Sequence, residues 1–237
     1  MSRIAKKKLP AYNYSLEEIE RIADAENQRY DATRLVEPKP LDIHRYAETM
    51  LGVTFDFKYL SHNGVPQCKL FYDATTTLVS SCYMPDCKCP HEVIEKCKPC
   101  EIAVRARTII VDQSIIDRGL WFKERFDIGH ECGHLVLHPN GFSQTDCNYK
   151  PHAHGNPMTN MNLCEHQANR FSSALLMPRA VTVEMYEALM RIDSILPQTE
   201  SEKIGSVIEK MSAVFDVSFE AMMYRLVNLR LIRIIEE

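Results

Sequence analysis

Apolar residues recur along this chain with two periods, and the changes between them divide it. From Leu16 to Tyr30, Ile19, Ile22 and Ala23 fall on one side at helical spacing. Ser15-Leu16-Glu17-Glu18 opens that stretch as a capping box: the serine side chain answers the amide three residues on, and the glutamate answers the serine's own amide. Pro38 and Pro40 interrupt, and a second helix is expected from Leu41 to Leu51, stopping at Gly52. The period then falls to two. Val53, Phe55 and Phe57 alternate with Thr54, Asp56 and Lys58, as in a half-buried strand. His62-Asn63-Gly64 signals a turn, and further strand character runs from Cys68 to Tyr72, from Thr76 to Cys82 and from Ile102 to Val111. Helical spacing returns over about 119–138, and again from about 161 until Pro178 stops it. Between them, residues 139–160 are rich in Pro, Gly, Asn, Ser and His and read as a loop. Three more helices are expected at roughly 180–194, 199–215 and 219–230.

Helices, then a group of short strands, then helices predict an α+β fold in which a small antiparallel or mixed sheet packs on the helix of 119–138. The 237 residues are enough for a sizeable core. Residues 1–14 read as a loose basic tail, 15–178 as the main domain and 179–237 as a helical C-terminal region. A net charge of −4 argues against direct nucleic-acid binding, which favours basic surfaces. No apolar run reaches the length of a membrane span, and the basic N-terminus is not followed by the apolar stretch of a signal peptide. The expected compartment is the cytoplasm.

The candidate chemistry sits in the 119–138 helix. Residues 130–134 read His-Glu-Cys-Gly-His. Positions i and i+4 share one helix face, so His130 and His134 can aim two imidazoles at one metal ion. Glu131 lies beside them, placed to act as general base on a water. This is the HExxH arrangement of zinc metallopeptidases. Gly129 and Gly133 weaken the helix by about 1 kcal/mol each, which calls for compensation such as close approach of another backbone or of the metal.

A catalytic zinc takes three protein ligands and leaves a fourth position open. His138 is excluded: eight residues past His130 along an unbroken helix is about 12 Å of rise. His152 and His154 lie in a loop and are candidates. Glu165 is favoured, because it sits on the next helix, where a ligand is held more rigidly, and because two histidines and a glutamate suit a hydrolytic zinc. Asn169 follows four residues later on the same face, where it can fix a histidine ring from behind. His152, His154 and Tyr149 are also candidate donors to the oxyanion. An extended substrate is expected to pair with the edge of the strand at Thr108–Val111.

The chain has nine cysteines, and disulfides are rare in the cytoplasm. Cys82, Cys87, Cys89, Cys97 and Cys100 crowd into a stretch that ends in a CxxC. They form either a second, structural zinc site or redox pair, or a set of loop thiols with no shared ligand.

The stretch Glu124-Arg125-Phe126-Asp127-Ile128-Gly129-His130-Glu131-Cys132-Gly133-His134-Leu135-Val136-Leu137-His138 resembles the motif helix of the ImmA/IrrE metallopeptidases. Glu165-His166-Gln167-Ala168-Asn169-Arg170-Phe171, with Leu175-Leu176-Met177-Pro178 after it, is similar to that family's second motif, and the likeness extends over most of 15–230. Two departures stand out. Gln167 occupies a motif position where the family often has glutamate, and residues 82–100 look like an insertion. The resemblance implies a zincin-like core, one catalytic zinc and endopeptidase activity. It also implies a protein substrate, a helix-turn-helix transcriptional repressor, cut in the control of mobile elements or stress responses. The alternative is a non-catalytic regulatory module with a vestigial metal site that binds DNA or protein. The helices around Asp216-Val217-Ser218, with Arg225, Asn228 and Arg230 on the second, superficially resemble a helix-turn-helix, although two packed helices finishing the core is the favoured reading of them.

Overall fold

The computed structural model describes residues 13–60, 67–80, 99–139, 160–192 and 199–233. Among them are eight α-helices and five strands in an α+β arrangement. Helix α1 (Leu16–Asp31) starts at the capping box, with Ser15 and Glu18 answering each other's amides. A short 3-10 turn (Ala32–Leu35) leads to α2 (Ile43–Leu51), capped by Asp42 and closed by Gly52 in the left-handed conformation (φ 63°) that glycine adopts without penalty.

Strands β1 (Thr54–Lys58), β2 (Cys68–Phe71) and β5 (Thr108–Asp112) form one mixed sheet in the order β1-β5-β2. β1 runs parallel to β5, with Phe55 opposite Ile109, and β2 runs antiparallel, with Leu70 opposite Ile109. β3 (Thr75–Ser80) and β4 (Pro99–Val104) make a separate antiparallel pair. The expected single strand over 102–111 is therefore two, separated by a turn in which Arg107 has φ 57°.

β5 is buried at every position, because both faces of the sheet are covered. Ile109 and Val111 face the helices, while Ile110 packs with Leu60, Phe71, Val79 and Val104 on the side of the β3–β4 pair. Double coverage explains why Thr108-Ile109-Ile110-Val111 is an unbroken run instead of an alternation. It also corrects one expectation. β5 is the central strand, hydrogen-bonded on both sides, so it has no edge for a substrate; the outer strand on the side of the motif helix is β2.

The short helix α3 (Gln113–Asp117) follows β5 directly, and Gly119 (φ 63°) turns the chain into α4 (Trp121–Leu137), which carries residues 130–134. α4 packs along α5 (Asn160–Leu176), and α6 (Arg179–Ile192), α7 (Glu200–Phe215) and α8 (Phe219–Asn228) complete the chain. Val207, Met211, Phe215 and Leu226 from the last two helices join the same apolar cluster as Ile128 and Leu175.

Two buried arginines tie the ends of the chain to the end of α5. The Leu175 carbonyl accepts from Asn27 Nδ2 and Arg34 Nη1, each at 3.2 Å, and the Leu176 carbonyl accepts from Arg34 Nη2 at 3.0 Å. The Met177 carbonyl accepts from Arg225 Nε at 2.9 Å. These carbonyls lie where a helix runs out of internal donors, so the side chains complete its hydrogen bonding. Arg225 is 2% exposed and grips the Glu20 carboxylate with both terminal nitrogens. A guanidinium consumed in this way has nothing left to offer DNA. No described helix is long and apolar enough to cross a membrane.

Candidate metal centre

His130 and His134 stand one turn apart on α4, and both rings turn toward α5. Their Nε2 atoms are 3.0 Å apart. Glu165, in the second turn of α5, reaches between them: Oε2 lies 3.0 Å from His130 Nε2, and Oε1 lies 3.4 Å from His134 Nε2. All three ligand atoms fall within 4.8 Å of one another, and this is the one such group of metal-ligating side chains among the described residues. Ligands on a tetrahedral zinc, with bonds of about 2.0–2.1 Å, stand about 3.3 Å apart. The observed separations match that triangle. The donor set fits as well, because two imidazole nitrogens and a carboxylate are the ligand types of a hydrolytic zinc.

The orientation of the rings has a cause. Nδ1–H of His130 donates to Oδ1 of Asn169 at 3.0 Å, one turn beyond Glu165 on α5, which leaves Nε2 of His130 turned to the triangle. The helices must approach closely for this, and the two glycines permit it. A Cβ on Gly133 would stand 3.0 Å from both Cα and the carbonyl oxygen of Ala168, and one on Gly129 would stand 2.5 Å from Ser172 Oγ. Gly129 and Gly133, four apart on α4, thus face Ser172 and Ala168, four apart on α5. Ser172 also donates to the Phe126 carbonyl at 2.9 Å, pinning the crossing. The propensity cost of the glycines is offset by this contact with another backbone.

Charge is coupled across the site. For His130, burial acts to lower the pKa, but the hydrogen bond to Glu165, the charges of Glu131 and Glu165 and the bond to Asn169 together push it up to about 9. Burial acts to raise the Glu165 carboxyl, yet the hydrogen bonds and charges of the two histidines hold it well below the usual carboxylate range. Burial, with the charge of His130 beside it, lowers His134. Glu131 is half-buried next to the triangle. Burial pushes its carboxyl up to about 8; His130 and the Leu70 backbone amide oppose this, while Glu165 and Asp127 add to it. A carboxyl poised near neutrality suits a group that must accept and then return a proton.

His138, excluded on helix geometry, stands at the C-cap of α4 and outside the triangle; burial and the neighbouring His134 lower it to about 4. His152, His154 and Tyr149 lie outside the described residues, as do Cys82, Cys87, Cys89 and Cys97. Cys100 is half-buried in β4 with a free thiol. The inward half of α4 also carries groups that the motif reading did not single out. Glu124 is buried and hydrogen-bonded to His44 Nε2 at 3.0 Å, and Asp127 is bound by Lys123 Nζ at 2.6 Å.

Comparison with curated proteins finds no match. Residues 122–227 match the M78 peptidase family, described as the IrrE N-terminal-like domain. The matched stretch begins in the first turn of α4 and ends in α8, so it contains His130, Glu131, His134, Glu165 and Asn169. Over residues 122–227, with both motifs inside the match, the chain is thus similar to the IrrE N-terminal-like domain of the M78 peptidase family.

Proposed function

We propose that this chain is a zinc-dependent endopeptidase that hydrolyses a peptide bond in a protein substrate, a helix-turn-helix transcriptional repressor, in the cytoplasm. The observation that carries the reading is the triangle of His130, His134 and Glu165 with Glu131 at its side. In this reading the three residues hold one zinc. Zinc bound there would supply a Lewis acid, polarising the scissile carbonyl and acidifying a water. Glu131 takes the proton of the attacking water and delivers it to the leaving amine. Asn169 keeps His130 in the tautomer whose Nε2 carries a lone pair. The repressor as substrate, and a role in mobile-element or stress-response control, rest on the likeness of the two motifs to the family.

The test is incubation of zinc-loaded wild-type and Glu131→Gln proteins with helix-turn-helix repressors of the same genome. Cleavage by the wild type alone supports both the reaction and the substrate. Equal cleavage by Glu131→Gln removes Glu131 from its role, and an intact repressor removes it as the substrate.

A further inference from the structure

The outer strand of the sheet meets the motif helix through an unusual ladder. The Asp112 amide donates to the Gln67 carbonyl at 3.1 Å, and Cys68 stands opposite Val111. Hydrogen-bonded and non-hydrogen-bonded pairs alternate along an antiparallel ladder. Lys69 therefore bonds to Ile110, while Cys68 and Leu70 turn their amides away from β5. On an outer strand such amides face water or await another strand. Here each meets a carboxylate of α4: the Cys68 amide donates to Asp127, and the Leu70 amide donates to Glu131. The spacings match. Two residues along a strand span about 6.7 Å. Four along a helix rise about 6 Å. Acids at i and i+4 on α4 thus fall opposite amides at i and i+2 on β2. Lys123, one turn earlier, binds Oδ2 of Asp127 at 2.6 Å and orients that carboxylate.

We propose that Asp127 is a positioning residue for Glu131: by holding the Cys68 amide it sets β2 in register with α4, so that the Leu70 amide fixes one carboxylate oxygen of Glu131 and leaves the other for the reacting water. The inference rests on the reading of Glu131 as general base. Asp127 touches neither the metal triangle nor the reacting atoms. Besides the charge it places near Glu131, its effect reaches them through two hydrogen bonds and the intervening strand.

Two measurements on the full, zinc-loaded chain test this. The first is amide hydrogen exchange at Cys68 and Leu70 in the wild type, expected to be slowed about a hundredfold relative to unprotected amides, despite their place on an outer strand. In Asp127→Ala the Cys68 amide loses that protection and the Leu70 amide loses part of it, whereas Asp127→Asn, which keeps an acceptor oxygen, restores most of it. Exchange in the wild type at the rate of a free edge overturns the proposal without any variant. The second is binding of acetohydroxamate, a zinc-chelating probe whose acidic proton a base at position 131 would accept. Asp127→Ala is expected to weaken it about tenfold with zinc stoichiometry unchanged, and Asp127→Asn to recover it. Added to Glu131→Gln, the Asp127→Ala change should have no further effect, because both act on one contact. Additive losses overturn the proposal. A Glu131→Gln protein that binds the probe as tightly as the wild type would instead overturn the general-base reading, leaving the exchange result to decide the ladder on its own.

Discussion

Gly133 lies directly against the backbone of Ala168, three residues past Glu165 and one before Asn169. The Gly133→Ala variant would gain about 1 kcal/mol of helix propensity. The added methyl, however, would meet backbone atoms that cannot rotate away, and overpacking of this kind costs about 1–3 kcal/mol. We expect the thermal midpoint to fall and zinc affinity to drop at least about tenfold, because α5 moves outward with its ligand. Gly205→Ala is the control. Its Cβ would meet nothing within 4 Å, so the same substitution in α7 should raise the midpoint.

Asn169→Ala should lower zinc affinity by about 10–100-fold while leaving the fold intact, the usual consequence of removing the partner of a ligating histidine. Competition with a chromophoric chelator reads this directly. An affinity equal to the wild type would mean that the 3.0 Å contact to His130 does not set the ring.

The charge coupling predicts proton release on metal binding. With its pKa raised to about 9, His130 is protonated at pH 7 in the metal-free protein. Only the neutral ring can ligate a metal, so binding must expel that proton. Zinc affinity should therefore rise between pH 7 and pH 9, by up to about tenfold per unit, and flatten above. Calorimetry in buffers of different ionisation heat should report at least one proton released per zinc at pH 7. A count of zero would contradict the coupling.

Glu20→Ala should be among the most damaging substitutions far from the metal centre. It strands the Arg225 guanidinium, which is 2% exposed, and removing one partner of a buried ion pair costs about 3–5 kcal/mol. Urea unfolding of the metal-free protein measures it. A loss of under about 1 kcal/mol would show the pair to be no stronger than a surface bridge.

Local signals in the sequence carried most of the fold. The capping box at Ser15, the glycine stop at Gly52 and the proline stop at Pro178 each act within a few residues, and α1 begins, and α2 and α5 end, where those residues require. The pairing of His130, His134 and Glu165 was also legible, since helical spacing places two residues on one face and α5 brings the third. Long-range partners were hidden. Nothing local distinguishes β5 as the central strand, because a run buried by two sheet neighbours and two covering layers reads the same in either order. The roles of Gly129 and Gly133 were visible only as a cost until Ala168 and Ser172 stood opposite them. Asp127 read as a polar residue on a motif helix, because its partner is a backbone amide of a strand some sixty residues away in sequence, and amides have no signature in side-chain patterns.

The carbonyls at the end of α5 carry a lesson about dividing the chain. Similarity marks out residues 122–227, yet Leu175 and Leu176 are completed by Asn27 and Arg34, and Glu131 leans on a strand at Leu70. All of these partners precede the matched segment. A fragment cut at residue 122 would keep every proposed ligand and lose these outer supports. The segment that similarity marks out is here smaller than the set of residues that supports the site.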